Sequence, residues 1–378
     1  MYTTIKGKYA EAIIFRPEDE IEEYAKAQVK MLCDNEVFKD QDIRVMPDVH
    51  PGKVGVIGLT ASYYDKIIPN LVGNDIGCGV TCAHITMKRK PDFNQLDKVI
   101  KANIPMGTAI NKNVYYKDFV PYEFKCRNHL NLSRVNASMC SLGGGNHFIE
   151  LDKNMEGEYY MTVHTGSRYL GKAINDYYVS EGAKLLKQRG ITDIPYELTY
   201  LESRDRIFFD YINDVQEAVK FAFMNRMTII TRICSAIGWK VDGAEIINSV
   251  HNFIEPVSGI IRKGAIQAYE DLECVIPINA KEGVLICEGK SNFDWLCSAP
   301  HGAGRIASRE DVVSHHTVSE FKKCMDGIYC SSINKDTLAE APFAYREMRD
   351  ILPYLTDTVK IKKRLLPVYN IKAGRDAK

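Results

Sequence analysis

The sequence lacks several features that would assign it to a familiar class of protein. No apolar run approaches the length of about 18 residues that a membrane-spanning helix needs. Lysine plus arginine and aspartate plus glutamate number 49 each, and this zero net charge argues against a protein that coats nucleic acid by bulk electrostatics, although it permits a local basic groove. The chain also has no Gly-x-x-x-x-Gly-Lys-Ser/Thr phosphate loop and no Gly-x-Ser-x-Gly nucleophile elbow. We therefore expect neither a membrane protein nor a P-loop nucleotidase.

The cysteines indicate the compartment. The 378-residue chain has 11 of them, an odd number, without a Cys-x-x-Cys pair and without an apolar secretory signal near the start. We expect free thiols and a cytoplasmic location. A content of 45% hydrophobic and 26% charged residues is typical of a globular protein.

Hydrophobic periodicity predicts a mixture of helices and strands. Apolar residues at helical spacing predict helices over residues 17–38, 93–102, 170–188, 210–237, 318–325 and 344–352. Short apolar runs between glycine- and proline-containing turns predict strands over residues 44–46, 54–60, 80–85, 159–163, 246–250, 260–262, 283–287 and 365–372. No repeat or linker divides the chain, so we predict one α+β domain over residues 1–378, with mixed β-sheets flanked by helices.

Five side chains that can bind metals lie in scattered loops, mostly beside glycine or small polar residues. Asp75 and Cys78 are three residues apart in a glycine-rich loop, and imidazoles follow at His147, His164 and His251. Carboxylate, thiolate and imidazole together suit Mn²⁺, Zn²⁺ or Fe²⁺ better than Ca²⁺ or Mg²⁺, and the spacing matches no zinc finger. The alternative is five unrelated loop residues, because spacing alone does not bring them together.

Two segments combine a histidine with an arginine four residues later. In His301-Gly302-Ala303-Gly304-Arg305 the absence of bulk lets a phosphate approach the backbone N–H groups, and a helix expected soon afterwards would favour the same anion. His301 is then a candidate nucleophile or general acid/base, and Arg305 a candidate bidentate phosphate ligand. The alternative is a glycine-rich turn with a structural histidine.

The segment His164-Thr165-Gly166-Ser167-Arg168 repeats this pattern, with a surface salt bridge as the alternative role for Arg168. Asp48 and His50, near the end of a predicted strand, are candidates for orienting the ligands. A turn that ends the strand would explain these two residues almost as well.

In their order along the chain, these segments resemble the RtcB family of RNA ligases, which join an RNA 3′-phosphate or 2′,3′-cyclic phosphate to a 5′-hydroxyl with GTP and Mn²⁺. The resemblance extends from about Pro47 to the last predicted strand. The matching segments are 47–52 (PDVHPG), 73–80 (GNDIGCGV), 145–150 (GNHFIE), 164–168 (HTGSR), 251–252 (HN), 262–265 (RKGA), 301–305 (HGAGR), 340–345 (EAPFAY) and Lys372.

The resemblance implies an RtcB-like fold and a role for each matching residue. It implies that two Mn²⁺ ions are held, with the thiolate shared between them, by Asp75, Cys78, His147, His164 and His251. His301 would attack the α-phosphate of GTP and carry GMP as a phosphoramidate. The remaining residues would contact phosphates or guanine: Asn146, Glu150, Arg168, Gly302, Ala303, Gly304, Arg305, Tyr345 and Lys372.

The implied reaction has three steps. Guanylylation of His301 releases pyrophosphate; the RNA 3′-phosphate, formed by water from a cyclic end where necessary, then accepts the guanylyl group; and the 5′-hydroxyl finally displaces GMP. The implied setting is tRNA splicing or RNA repair, with archease as a possible activating partner. We expect the protein to act as a monomer.

The chain departs from the family pattern in two places. Residues 277–284 read PINAKEGV where the family usually has PGSMGTAS, and Thr81 stands where an arginine usually follows the cysteine loop. These changes indicate a divergent branch. They also motivate an alternative function, a metal-dependent phosphodiesterase or phosphatase on the same scaffold without guanylylation. A third hypothesis is a non-catalytic RNA-binding or metal-storage protein. The presence of Asn146, His301 and both arginines argues against it, because storage requires none of them.

Overall fold

The computed structural model of the protein describes residues 2–112 and 123–374. The helices within these ranges are α1 Glu23–Cys33, α2 Phe93–Asn103, α3 Leu132–Ser138, α4 Tyr169–Gln188, α5 Arg206–Ile237, α6 Arg309–His315, α7 Val318–Cys324 and α8 Met348–Leu355. The strands are β1 Thr3–Lys6, β2 Glu11–Ile14, β3 Ile43–His50, β4 Ile57–Ser62, β5 Lys66–Ile67, β6 Gly79–Thr86, β7 Phe148–Lys153, β8 Tyr159–Thr165, β9 Leu201–Glu202, β10 Lys240–Val250, β11 Asn252–Glu255, β12 Ile260–Lys263, β13 Ala265–Gln267, β14 Glu273–Asn279, β15 Gly283–Gly289, β16 Ser298–Pro300 and β17 Val359–Lys372.

Two large sheets organise the described chain. One has six strands in the order β1-β2-β3-β4-β12-β11, and the other has seven in the order β10-β6-β8-β7-β17-β15-β14. The six-stranded sheet is mixed, because β2 pairs with β3 in parallel, whereas every pairing in the seven-stranded sheet is antiparallel. The pairs β5-β9 and β13-β16 form two small sheets. The predicted α+β class is confirmed. That the chain forms a single domain stays a prediction.

The seven-stranded sheet curls around an apolar cluster. Its two edge strands approach each other, since the Val275 N–H of β14 donates to Ser249 Oγ of β10 at 2.8 Å. The cluster is formed by Val80, Cys82, Tyr160, Val275, Val284, Ile286 and Leu365. Each fully buried side chain of this size contributes about 1.5–3 kcal/mol relative to exposure, so the curl is stabilised by its own interior.

Helix α5 covers the outer face of the curled sheet and contacts β6, β8 and β10. Its buried residues Ile229, Ile230 and Ile233 join the apolar cluster that includes Met161 and Val163 of β8. The helix ends at Gly238, whose φ of +81° is a left-handed conformation that glycine adopts without steric cost. Within the described ranges, no helix is long and apolar enough to cross a membrane.

The structure corrects the bounds of several predicted elements. The helix predicted over residues 17–38 is only α1, because residues 18–20 and 36–38 form separate 3₁₀ turns on either side of it. The strand predicted over residues 54–60 begins at Ile57, after a turn in which Gly55 has a φ of +65°. The strand predicted over 44–46 extends to His50, which brings Asp48 into regular structure.

Candidate active site

The predicted site residues lie at one edge of the seven-stranded sheet, the edge formed by the ends of its strands. Antiparallel strands begin and end there in register. The first residue of β6 pairs with the last residue of β8 and with the last residue of β10. Cys78 directly precedes β6, His164 is the second-last residue of β8, and His251 directly follows β10. The first residue of β7 pairs with His164 and with Lys372, the last residue of β17, so His147 ahead of β7 joins the same edge.

The sulfur of Cys78 lies at the centre of this group. Cys78 Sγ is 3.3 Å from His147 Nε2 and 3.3 Å from His164 Nε2. Asp75 Oδ2 is 3.0 Å from His147 Nε2, and the His251 ring centroid is 5.2 Å from that of His164. The structure therefore brings together the carboxylate, the thiol and the three imidazoles that the sequence pattern singled out.

Two glycines make room for these ligands. A Cβ atom at Gly143 would overlap the His147 imidazole, and a Cβ atom at Gly166 would overlap the Asp75 carboxylate. Only glycine lacks that atom, so the glycine context that marked the segments in the sequence has a steric cause in the fold.

The donor set fits a transition metal. Cys78, His147 and His164 each offer a ligand atom within 4.8 Å of the others. Among the described side chains, His251 has a buried Nδ1 atom without a hydrogen-bond partner, and His147 turns its other nitrogen, Nε2, towards Cys78 and Asp75. Thiolate, imidazole and carboxylate donors suit Mn²⁺, Zn²⁺ or Fe²⁺, and buried polar atoms without partners are costly unless a ligand satisfies them.

The electrostatics of the cluster also favour a cation. Burial lowers the pKa of His164 and of His251 well below the usual range, so both imidazoles are neutral at pH 7 and keep a lone pair for a metal. Burial and the neighbouring Asp75 raise the pKa of the Cys78 thiol well above its usual value, so this thiol needs a cation to become a thiolate. Burial raises the pKa of Asp75, but His147, together with Cys78 and Arg168, outweighs it and lowers that pKa to about 2.

His301 lies beside the metal cluster and is held by a buried carboxylate. It directly follows β16, and its ring centroid is 4.7 Å from that of His251. His301 Nδ1 is 2.6 Å from Asp48 Oδ2, and the same oxygen accepts the His301 backbone N–H at 3.2 Å. Because Nδ1 donates to the carboxylate, the lone pair of the ring is on Nε2. Asp48 thus orients His301, whereas the sequence suggested it as a partner of the metal ligands or as part of a turn that ends a strand.

A cavity of about 570 Å³ opens over the cluster and His301. This volume is within the usual range for small-molecule sites. The predicted residues that line it are Asp75, Cys78, Asn146, Glu150, His164, His251, His301, Gly302, Ala303, Gly304, Arg305, Tyr345 and Lys372. His147 and Arg168 are not among the lining residues and lie behind this surface. The helix expected soon after Arg305 begins at Arg309, and its first residues line the cavity mouth.

Arg168 adjoins the metal ligands. It is the residue ahead of α4 and has a φ of +60°, a conformation that is costly for a residue with a side chain. Its Nε donates to Ser141 Oγ at 3.1 Å and its Nη2 to the Gly107 carbonyl. Within the described chain these hydrogen-bond acceptors are uncharged, and burial lowers the pKa of the guanidinium. The strained backbone and the two bonds hold a positive charge in place.

Arg305, in contrast, uses its guanidinium for four hydrogen bonds within the protein. Its Nη1 donates to Glu340 Oε2 at 3.1 Å and to the Tyr345 hydroxyl at 3.2 Å, and two backbone carbonyls accept from its Nη2 and Nε. Glu340 also accepts from Arg309 Nε at 2.7 Å and from Tyr345. The guanidinium is therefore not free for the bidentate phosphate contact predicted from the sequence. Sequence reasoning assigned no role to Glu340, although it lies in one of the matching segments.

The other side of the cavity holds a buried acid and a buried base. Glu150 Oε2 accepts from Asn370 Nδ2 at 2.6 Å, and burial raises the pKa of Glu150. Burial lowers the pKa of Lys372, which Glu340 and Glu150 partly offset.

The carbonyl oxygen of Asn146 lies 3.1 Å from His164 Nδ1 and can only accept, so it fixes the tautomer whose Nε2 faces Cys78.

The segment that departs from the family pattern lines the same cavity. Residues 277–280 and Gly283 face it, at the turn between β14 and β15. Asn279 Nδ2 donates to Glu282 Oε2 at 2.9 Å, and the same oxygen accepts the Met348 N–H at 2.8 Å. The divergent residues thus form an ordered turn that is tied to α8.

Comparison with known proteins gives a family for this arrangement. The profile described as tRNA-splicing ligase RtcB matches residues 36–125 and 119–373. The chain belongs to the RtcB family. It is 26% identical over 372 residues to RNA-splicing ligase RtcB of Escherichia coli (strain K12), covering 89% of this chain and 90% of that protein. It is 25% identical to tRNA-splicing ligase RtcB of Pyrobaculum aerophilum, with 80% and 81% covered, and 24% identical to that of Thermococcus kodakarensis, with 82% of each covered.

An identity of about one quarter over most of the length confirms a divergent member of the RtcB family. The matched ranges include all the predicted site residues. The loops that carry these residues therefore lie in the part of this RtcB chain that matches the family model.

Proposed function

We propose that this protein is an RNA ligase that joins RNA 3′-phosphate or 2′,3′-cyclic phosphate ends to 5′-hydroxyl ends through a His301–GMP intermediate, in tRNA splicing or RNA repair. The observation that carries the proposal is the position of His301, which a buried carboxylate orients beside the Cys78 cluster. Membership in the RtcB family, whose curated relatives are named as splicing ligases, supports the same reaction.

His301 has the geometry of a nucleophile. Asp48 accepts the proton of Nδ1, so Nε2 carries the lone pair that would form a bond to the α-phosphorus of GTP while pyrophosphate leaves. The RNA 3′-phosphate would next attack the same phosphorus, and the imidazole would depart with Nδ1 still bound to Asp48. Finally the 5′-hydroxyl would attack the activated RNA phosphate, and GMP would leave.

Asp75, Cys78, His147, His164 and His251 are proposed to hold two Mn²⁺ ions, with Cys78 as a thiolate. When bound, these ions would supply positive charge to the transferring phosphoryl groups. The unpartnered buried Nδ1 of His251, the convergence of Cys78, His147 and His164 and the soft sulfur donor support this assignment.

The nucleotide is proposed to occupy the cavity beside His301. Gly302, Ala303 and Gly304 line it without side-chain bulk, so phosphate oxygens can approach the backbone, and Asn146 lies at the same wall. Guanine would be held farther along, where the cavity is lined by Glu150, Tyr345 and Lys372. A buried carboxylate and a buried lysine match the hydrogen-bond donors and the O6 acceptor of guanine.

The two arginines are proposed to act at phosphates. Arg168 fits this role directly, because its charge has no bonded carboxylate among the described residues. Arg305 is retained in this role from the resemblance, although it would have to release Glu340 to contact a phosphate.

The setting is proposed from the same resemblance. We propose a cytoplasmic monomer that acts on broken or intron-derived RNA ends, with archease as an activating partner. The free state of all eleven cysteines supports a reducing compartment.

A guanylylation assay tests the proposal. The protein is incubated with α-labelled GTP and Mn²⁺, and the expected result is an acid-labile protein adduct that converts a 3′-phosphate RNA and a 5′-hydroxyl RNA into a joined product. His301→Ala should abolish the adduct, whereas His315→Ala, which alters an exposed histidine outside the cavity, should preserve it. Removal of RNA end phosphates without any adduct would contradict ligation and would favour the hydrolase alternative.

A further inference from the structure

A fully buried arginine lies directly behind the metal cluster. Arg226 belongs to α5 and is 0% exposed. Its Nε donates to Thr81 Oγ1 at 2.9 Å, and its Nη2 donates to Asn248 Oδ1 at 2.9 Å. Its Nη1 donates to two backbone carbonyls, Gly77 at 2.9 Å and Thr165 at 2.7 Å. One guanidinium thus makes four hydrogen bonds in the interior of the protein.

These four acceptors lie in the three segments that carry Cys78, His164 and His251. Gly77 immediately precedes Cys78, Thr165 immediately follows His164, and Asn248 lies on β10 three residues before His251. A side chain at position 77 would collide with α5, so the cysteine loop rests directly on the helix that carries Arg226. The guanidinium therefore fixes the spacing of the three strand ends from one side, as a rigid fork with donors in fixed directions.

The charge of Arg226 has no bonded counter-ion. Its acceptors are two carbonyls, a hydroxyl and an amide, and the nearby groups that can carry negative charge are Asp75 and, once a bound metal ion has deprotonated it, Cys78. A buried cation without a hydrogen-bonded carboxylate is costly, and burial lowers the pKa of this guanidinium to about 10. The cost is offset when negative ligands are assembled next to it.

Position 81 shows how this chain builds the network. Thr81, which stands where the family usually has arginine, accepts from Arg226 Nε and donates from the same hydroxyl to Asn248 Oδ1 at 2.8 Å. In this protein the positive charge behind the cysteine loop therefore comes from helix α5, and the residue on β6 contributes only a hydroxyl that relays one hydrogen bond.

We propose that Arg226 is the positioning residue of the metal centre: through its four hydrogen bonds it sets the separation of Cys78, His164 and His251 and thereby the affinity and geometry of the bound ions. The inference rests on the proposed metal site. It adds a specific residue, distant in sequence and absent from the ligand set, that determines whether the ligands converge.

The direct test is metal binding by the full-length chain with Arg226→Lys. Lysine keeps the charge but has one nitrogen, which cannot reach four acceptors. We expect Mn²⁺ affinity, measured by equilibrium dialysis with elemental analysis, to fall by about 10- to 100-fold, the usual effect of removing a partner of metal ligands. With Co²⁺ as a probe, the thiolate-to-metal charge-transfer absorption should weaken.

Arg262→Lys is the matched control. Arg262 is also 0% exposed, but its guanidinium bonds to Glu255, Ser298 and Leu296, away from the three ligand-bearing strands. We expect a comparable loss of thermal stability in the metal-free protein with unchanged Mn²⁺ affinity and an unchanged Co²⁺ spectrum. This pair of variants separates a positioning role from general destabilisation by altering a buried arginine.

Two milder variants test the positioning role if Arg226→Lys does not fold. Thr81→Val removes the hydroxyl without changing the shape of the side chain, and Thr81→Ser restores it. The Thr81 hydroxyl makes two hydrogen bonds, and the loss of one alone corresponds to about a fivefold change in affinity. We therefore expect Thr81→Val to lose Mn²⁺ affinity by at least about fivefold, and Thr81→Ser to recover it.

Three results would overturn the inference. Arg226→Lys with the stoichiometry, affinity and Co²⁺ spectrum of the unaltered protein would do so and would leave the proposed function intact. Equal Mn²⁺ affinities in Thr81→Val and Thr81→Ser would have the same meaning. An unaltered protein that binds neither Mn²⁺ nor Co²⁺ would overturn both the inference and the proposed metal centre.

Discussion

Two segments of this chain share the pattern of a histidine followed four residues later by an arginine, yet the fold uses them in different ways. His164 contacts the Cys78 sulfur, and Arg168 keeps a charge that no bonded carboxylate neutralises among the described residues. His301 contacts the carboxylate of Asp48, and Arg305 is tied to Glu340 and Tyr345. Equal spacing therefore does not mean equal chemistry. The groups that each segment meets, from distant parts of the chain, determine what it can do.

Replacing the two histidines gives the largest expected effects and separates their roles. Both His164→Ala and His301→Ala should reduce RNA ligation by more than about 10³-fold, because each removes a group on which the proposed reaction depends. Elemental analysis should distinguish them: His164→Ala loses bound metal, whereas His301→Ala keeps metal and loses only the GMP adduct. A His301→Ala protein without metal would show that the two segments form one ligand set.

Replacing Arg168 should affect mainly the activity, whereas replacing Arg305 should also affect the stability. Arg168→Met is expected to lower the ligation rate by about 10²- to 10³-fold with a small change in melting temperature, because its charge lies just behind the metal ligands and has no bonded carboxylate among the described residues. Arg305→Met should lower the free energy of unfolding by up to about 3 kcal/mol, because it breaks a buried pair, although Arg309 still bonds to Glu340. Urea unfolding and single-turnover ligation measure both quantities. Equal effects of the two variants on the free energy of unfolding would contradict the difference between a paired and an unpaired arginine.

His50, which bonds to the backbone of Asp48 next to His301, predicts a pH dependence of the free energy of unfolding. Burial lowers the pKa of His50 to about 4, so below the unfolded value of about 6.5 only the unfolded chain takes up this proton. The stability that His50 contributes is therefore complete above pH 6.5 and is lost as the pH falls towards 4. His50→Gln should reduce the pH dependence of unfolding in this window by at most about 1.4 kcal/mol per pH unit. Parallel curves for both proteins, measured by urea titration of the metal-free forms, would be inconsistent with a neutral buried His50.

The smallest expected effect concerns RNA affinity. The groove is proposed to be locally basic despite zero net charge, so RNA binding should weaken as salt is raised. Arg168→Met should reduce the slope of log affinity against log salt by about 0.7, the value for one phosphate of a single strand, whereas Arg305→Met should reduce it by less, because Arg305 must release Glu340 before it contacts a phosphate. Affinity that does not respond to salt would argue against a phosphate-binding groove.

The sequence was informative where residue type and local context carry the chemistry. Asp75, Cys78, His147, His164 and His251 could be selected because each is a possible ligand in a turn, and the fold places them together. The α+β class also followed from the alternation of short apolar runs with helical periodicity.

Other features depend on contacts that no local pattern encodes. Asp48 and His301 are 253 residues apart in sequence, and only the packing of β3 against the β16 segment makes them partners. The bonds between Arg305 and Glu340 likewise join separate loops, so the arginine looked available in the sequence. The helix predicted over residues 17–38 was too long, because apolar spacing continues through turns that have helical character.

The glycines at positions 143 and 166 have a consequence for the mutability of this protein. A Cβ atom at either place would occupy the volume that the His147 ring or the Asp75 carboxylate needs. A gene library with either codon fully randomised should therefore yield glycine alone among active clones, even though neither residue has a side chain with which to touch metal, nucleotide or RNA.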